Sequence, residues 1–96
     1  MLLEQLRQMK DSLNTLAHQY GASHLRVFGS VVRGEETPES DVDFVVEFPR
    51  GYDLFLQRLP LTQQLADLLK RRVDLVPEHE LSPHIRQQVL QEAIAL

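Results

Sequence analysis

The chain contains no cysteine. Disulfides and thiolate metal sites are therefore excluded, and a cytoplasmic location is the natural expectation. It also lacks an excess of positive charge: 10 Lys and Arg stand against 14 Asp and Glu, for a net charge of −4. Duplex-binding domains are usually basic, so direct contact with nucleic acid is not expected. The opening stretch, MLLEQLRQMKDSL, carries charge every few residues. It reads as neither a signal peptide nor a membrane span. No internal repeat, linker or low-complexity tract interrupts the chain. With 96 residues it can bury one modest core, and residues 1–96 are read as a single domain. There is no room for a separate substrate-binding domain, so whatever the chain acts on must be small or must bring its own surface.

What is present is an alternation of two periodicities. Leu6, Met9, Leu13, Leu16, Ala17 and Tyr20 recur at three- and four-residue steps, which predicts an amphipathic helix stopped at Gly21. HLRVFG, 24–29, predicts a short strand running into a tight turn, and 31–34 a helical turn. EETPES reads as a loop around Pro38. DVDFVVEF, 41–48, is the best strand signal: Val42, Phe44, Val46 and Phe48 share one face, Asp41, Asp43, Val45 and Glu47 the other. Pro60 fits the first turn of a second helix, with Leu61, Leu65, Leu68 and Leu69 as its apolar stripe. RRVDLV, 71–76, predicts a third strand. Ser82-Pro83 reads as an N-cap and first-turn proline, opening a helix whose Ile85, Val89, Ala93 and Ile94 face the core. The fold class expected is α/β, a three-stranded or slightly larger mixed sheet with about four helices.

Two carboxylates one residue apart in a strand raise a chemical question. Asp41 and Asp43 project from the same face, with Cα atoms about 6–7 Å apart. They resist joint ionisation unless a cation lies between them. Mg2+ suits that place, because it is usually held by one or two carboxylates together with substrate phosphates. Asp74, flanked by Val73 and Leu75, faces away from the apolar side of its own strand. If the two strands are neighbours, three carboxylates converge and could hold two metal ions about 3.5–4 Å apart. Gly29 permits a sharp turn and close approach of a ligand. The N–H groups of Ser30 and Val31 and the Ser30 hydroxyl would suit an anion, and Arg33 could reach a phosphate or hold a carboxylate. Singly, each feature has an ordinary structural reading: a turn, a solvated strand face, an ion pair of Asp74 with Arg71 or Arg72. Together, at one spacing and on one face, they make a kit for phosphoryl or nucleotidyl transfer.

GSVVRGEETPESDVD, 29–43, resembles the signature of the DNA polymerase β-type nucleotidyltransferase superfamily: Gly-Ser, an Arg-Gly, then Ser-Asp-x-Asp. RVDLV supplies the later third carboxylate. Given its size, the chain resembles the minimal nucleotidyltransferase (MNT-domain) antitoxins that are paired with HEPN-domain toxins. The resemblance implies transfer of AMP from ATP to a tyrosine hydroxyl of a HEPN ribonuclease, which silences the toxin, as in a type VII-like toxin–antitoxin system. It implies Mg2+, in two ions, with ATP as substrate. By position, Gly29 and Ser30 would bind the nucleotide phosphates, Asp41 and Asp43 would hold Mg2+, and Asp74 would help deprotonate the acceptor and share the second metal. Arg33 and Ser40 would support the nucleotide site. Val32 stands where relatives often carry alanine, a minor departure.

Two rival readings remain. One is an antitoxin that neutralises its toxin by binding alone; a degraded site would be expected to lose a carboxylate, and none is missing. The other is a nucleotidyltransferase acting on a small-molecule hydroxyl, against which the missing second domain speaks. His18, His24, His79 and His84 show no metal-ligand spacing and read as surface or partner-facing residues. Tyr20 reads as helix core and Tyr52 as loop packing. Arg71 and Arg72 read as a solvated helix end.

Overall fold

The computed structural model describes residues 2–96. Their order is α1 (Leu2–Gln8), α2 (Lys10–Gln19), β1 (Ser23–Phe28), α3 (Ser30–Arg33), β2 (Val42–Glu47), a π-helical turn (Leu54–Arg58), α4 (Leu59–Leu69), β3 (Val73–Pro77), a 3-10 turn (Glu78–Glu80), α5 (Pro83–Glu92) and β4 (Ile94–Ala95). The strands form one mixed sheet in the order β3-β2-β1-β4. β1 is antiparallel to both β2 and β4, and β2 is parallel to β3. The parallel pair needs a crossover, and α4 supplies it.

The expected α/β class is correct, and the core lies where alternation placed it. Val42, Phe44 and Val46 of β2, with Leu75 of β3 and Leu25 and Val27 of β1, are buried in one cluster with Leu6, Leu13, Leu61 and Leu65 from α1, α2 and α4. Pro60 sits in the first turn of α4, where its fixed φ suits the helix. Among the described residues, no helix is long and apolar enough to cross a membrane.

Three elements differ from the sequence reading. The first helix is two helices: the Met9 N–H is shared between the Gln5 and Leu6 carbonyls, both at 3.1 Å, which resets the helical frame. β2 begins at Val42, so Asp41 precedes the strand rather than opening it. The largest departure is at the C-terminal end. α5 buries none of its residues, and Ile85, expected in the core, is 48% exposed. Ile94, expected in the helix, instead pairs with Val27 in β4. The Leu96 N–H donates to the Leu25 carbonyl at 3.1 Å, continuing that edge. The unsatisfied edge of β1 is capped by the returning chain, and backbone pairing takes these residues out of the helix. Ser82 does stand at the N-cap with Pro83 behind it, but its backbone carbonyl receives the Ile85 and Arg86 N–H groups and its hydroxyl makes no cap bond.

Candidate active site

The parallel register pairs Asp43 with Asp74, while the antiparallel register pairs Asp43 with Phe28. Adjacent strands lie about 4.8 Å apart, so the two carboxylates leave neighbouring backbones side by side. Both point away from the Phe44–Leu75 core, as strict alternation requires. The chain leaves β1 at Gly29 directly beside them. Gly29 has φ +79 and ψ −147, which disfavours any residue with a side chain. A second constraint is steric: a Cβ on Gly29 would collide with Oδ2 of Asp43. The glycine is thus required both by its turn and by the carboxylate packed over it.

α3 follows at once. The Val32 and Arg33 N–H groups donate to the Gly29 carbonyl at 3.1 and 3.2 Å. The N–H groups of Ser30 and Val31, at the first turn, have no partner within the helix. Ser30 opens α3 directly after Gly29.

The other predicted residues are placed less simply. Arg33 is not free. Its Nε contacts Glu35 Oε1 at 2.5 Å and its Nη1 contacts Glu92 Oε1 at 2.6 Å. These two carboxylates push its pKa further up, the Glu35 hydrogen bond most strongly. Ser40 is a turn residue: its hydroxyl accepts the Thr37 N–H at 2.9 Å and lies 3.1 Å from the Thr37 hydroxyl. Asp41 lies 3.0 Å from Arg72 through Oδ1. Arg72 also donates to the Glu39 carbonyl at 2.9 Å, and Arg71 to the Thr37 carbonyl at 2.8 Å. The two arginines were expected as a solvated helix end; they hold the loop that carries Asp41. The register foretells the pairing, because Asp43 opposite Asp74 puts Asp41 opposite Arg72. Glu92 was not singled out from sequence, and no motif marks it.

The electrostatics converge on Asp43. Its pKa is raised, first by burial and then by the charges of Asp74 and Asp41, with Glu92 adding to them and Arg33 opposing. This excess of negative charge is the kind a hard cation relieves. Among the described residues, no group of three or more His, Cys, Asp or Glu side chains is arranged to hold a metal ion, so the expected convergence of three carboxylates is not seen. Mg2+ does not demand such a group, since it is commonly held by one or two carboxylates and completed by substrate phosphates and water. An all-oxygen donor set with a glycine-lined approach fits such an ion. The histidines stand elsewhere: His24 pairs with Glu47 at 2.6 Å, and His79 meets the edge of Tyr52. Tyr52 stacks on Phe48 at 4.7 Å, the loop packing expected of it.

The nucleotidyltransferase domain family matches residues 6–96. The chain belongs to this family. It is a minimal nucleotidyltransferase, and its similarity to other such proteins spans most of its length. It is 40% identical over 79 residues to the protein adenylyltransferase MntA of Thermococcus cleftensis, covering 82% of this chain and 79% of that one. A solved structure assigned as a minimal nucleotidyltransferase superposes with a TM-score of 0.85 at 45% identity, covering 98% of this chain and 95% of that one. A toxin–antitoxin crystallised with AMP-PNP superposes with a TM-score of 0.72 at 29% identity, covering 84% of this chain and 66% of that one. The MNT resemblance carried by residues 29–43 and 71–76 is therefore correct.

Proposed function

We propose that this minimal nucleotidyltransferase is a Mg2+-dependent protein adenylyltransferase that moves AMP from ATP to a tyrosine hydroxyl of a HEPN-domain toxin, and so serves as the toxin's antitoxin. The observation that carries the reading is the in-register pair Asp43–Asp74 beside Gly29. Its support is the similarity to MntA and to a toxin–antitoxin crystallised with an ATP analogue.

In this reading the first-turn N–H groups and the Ser30 hydroxyl receive the nucleotide phosphates, and Gly29 keeps the approach open. Asp41, Asp43 and Asp74 are the carboxylates that would hold two Mg2+ ions. Bound there, Mg2+ would neutralise charge on the phosphates and the attacking oxygen. The acceptor hydroxyl oxygen attacks the α-phosphorus in line, forming the new P–O bond. The bond from the α-phosphorus to the bridging oxygen breaks, and pyrophosphate leaves with that electron pair. The hydroxyl proton passes to the Asp74 carboxylate, which lies on the exposed side of the site where an acceptor can reach it. Ser40 supports the site by shaping the 37–40 turn, and Arg33 by placing a positive charge near Asp43.

Intact-mass spectrometry tests this. A HEPN-domain partner incubated with the protein, ATP and Mg2+ should gain mass in whole AMP units. The gain should vanish without Mg2+ and with the Asp41→Asn/Asp43→Asn double variant. AMP transfer at the wild-type level by that variant would refute the site assignment. A stable complex without added mass would point instead to neutralisation by docking.

A further inference from the structure

Asp41 and Asp43 are two residues apart, yet the backbone secures only one of them. Asp43 lies inside β2, paired on one side with Phe28 and on the other with Asp74. Asp41 lies outside the strand, at the end of a loop, and its residue is exposed. The ladder starts one residue later, where the Val42 N–H donates to the Arg72 carbonyl at 2.9 Å. A carboxylate in that position would sample several rotamers, and a metal would have to order it on binding.

Arg72 restricts that freedom. Its Nε lies 3.0 Å from Asp41 Oδ1 while its Nη2 donates to the Glu39 carbonyl at 2.9 Å. The guanidinium therefore hydrogen-bonds a backbone carbonyl and forms an ion pair with the carboxylate at once. The carbonyl contact fixes the guanidinium relative to the main chain, and the guanidinium then fixes Asp41. Arg71 completes the staple one turn of loop earlier, on the Thr37 carbonyl at 2.8 Å. Lysine could not do the same, because a single ammonium on a flexible stem has no second arm at a set angle.

We propose that Arg72 is a positioning residue of the nucleotidyl-transfer site, holding Asp41 ready for a divalent cation. The inference rests on the metal-site reading of Asp41 and Asp43. A rival effect has the opposite sign: a cation beside Asp41 repels an incoming metal ion. The Arg72 side chain is 78% exposed, so its charge is strongly screened. The guanidinium stays anchored beside Asp41 by its hydrogen bond to the Glu39 carbonyl, and on that anchor the positioning effect outweighs the screened repulsion. Groups that orient metal ligands commonly change metal affinity about 10- to 100-fold. For so exposed a contact the lower end, about tenfold, is the expected size.

The experiment is a titration of the purified protein with Mn2+ alone, following free Mn2+ by electron paramagnetic resonance. It compares the wild type with Arg72→Ala, Arg72→Lys, Arg71→Ala and Asp43→Asn. Arg72→Ala should weaken Mn2+ binding about tenfold at an unchanged melting temperature. Arg72→Lys should recover only a minor part of that loss, and Arg71→Ala, which leaves the Asp41 contact in place, should lose less than Arg72→Ala. In AMP transfer, Arg72→Ala should raise the Mg2+ concentration required, with kcat regained at saturating Mg2+. A general structural defect would not produce that split. Mn2+ binding by Arg72→Ala as tight as wild type or tighter, with Asp43→Asn still impaired, would overturn the role of Arg72 and leave the metal site standing. Full rescue by Arg72→Lys would show that charge alone matters and would also overturn it. If Asp43→Asn bound Mn2+ like the wild type, the metal site itself would fall, and this proposal with it.

Discussion

The β2–β3 pair and the α5–β4 segment both bring a charged group to the same end of the sheet, by different means. Asp43 and Asp74 stand on strands whose other face is Phe44 and Leu75, buried to 0% and 2% exposure. To move either carboxylate, the ladder or the core must give way. Glu92 arrives at the end of a helix that buries nothing. It is held there by its contact with Arg33 and by the short β4 that follows. Parts of a fold with few buried contacts open at low free energy, whereas core strands open only with the whole molecule. Asp43 and Asp74, two of the three carboxylates proposed for chemistry, thus sit on the rigid part. Glu92, one of the two that restrain Arg33, sits on the part that can let go.

The most forceful way to break this comparison is to truncate each side in turn. Phe44→Ala should cost about 3–5 kcal/mol, enough to unfold much of a domain this small. Ile85→Ala, on the exposed flank of α5, should change stability by less than about 0.5 kcal/mol. Urea denaturation of the two variants measures both. A cost at Ile85 approaching that at Phe44 would mean that α5 is a core element after all. Next in size is Gly29→Ala. The fold should survive, weakened by about 1–3 kcal/mol because this backbone region is essentially restricted to glycine. The new Cβ displaces the Asp43 carboxylate, and a misplacement of about 1 Å can cost about 100-fold in rate. AMP transfer should fall accordingly, with the circular dichroism spectrum retained. Near-normal transfer would separate the glycine from the carboxylate.

The same contrast explains what was legible in the sequence. The outward face of Asp43, the burial of Val42, Phe44 and Val46, and the helix with Pro60 in its first turn all follow from period and punctuation, and packing enforces both. The partners of the charged groups were harder to read. Arg72 looked like a helix end because its pairing with Asp41 depends on the β2–β3 register, which no single strand reveals. Glu92 and Arg33 meet across the fold, 59 residues apart in sequence, and nothing local links them. Ile94 was assigned to the last helix because a two-residue strand has no periodicity of its own, and only the free edge of β1 gives it a place. The break at Met9 carries neither glycine nor proline, the usual marks of an interruption.

A subtler test concerns the rigid side alone. Asp43 has a raised pKa because burial and the charges of Asp74, Asp41 and Glu92 disfavour its ionised form, against the pull of Arg33. The folded state therefore holds this proton more tightly than the unfolded chain does. By linkage, ionised Asp43 lowers stability above its folded pKa, and the penalty disappears as pH falls through that value towards the ordinary carboxylate range near about 4. Without metal, Asp43→Asn should accordingly melt above the wild type at pH 7, with a gap that closes on acidification. Mg2+ with ATP should narrow the gap at pH 7 by stabilising the wild type alone. Melting curves across pH decide it. A variant less stable than the wild type at neutral pH would mean that the Asp43 charge is already compensated.

The smallest expected effect lies on the α5–β4 side and sharpens the comparison most. Glu92→Gln removes the negative partner 2.6 Å from Arg33 and one of the charges that disfavour ionised Asp43. The exposed ion pair contributes little to global stability, so the melting temperature should barely move. The local consequences should be visible. The amides that pair β4 with β1, at Val27 and Ile94, should exchange hydrogen faster, because the helix end has lost its side-chain anchor. Arg33, held then by Glu35 alone, gains freedom to turn towards the nucleotide, and the KM for ATP should fall with kcat little changed. A fall in KM confined to Glu92→Gln and absent from Glu35→Gln would show that the contact across the fold, rather than the local one, restrains Arg33. An unchanged KM with faster exchange would limit Glu92 to anchoring the chain end. In either case the effect enters through the loosely held segment, while the register of Asp43 with Asp74 stays as the core sets it.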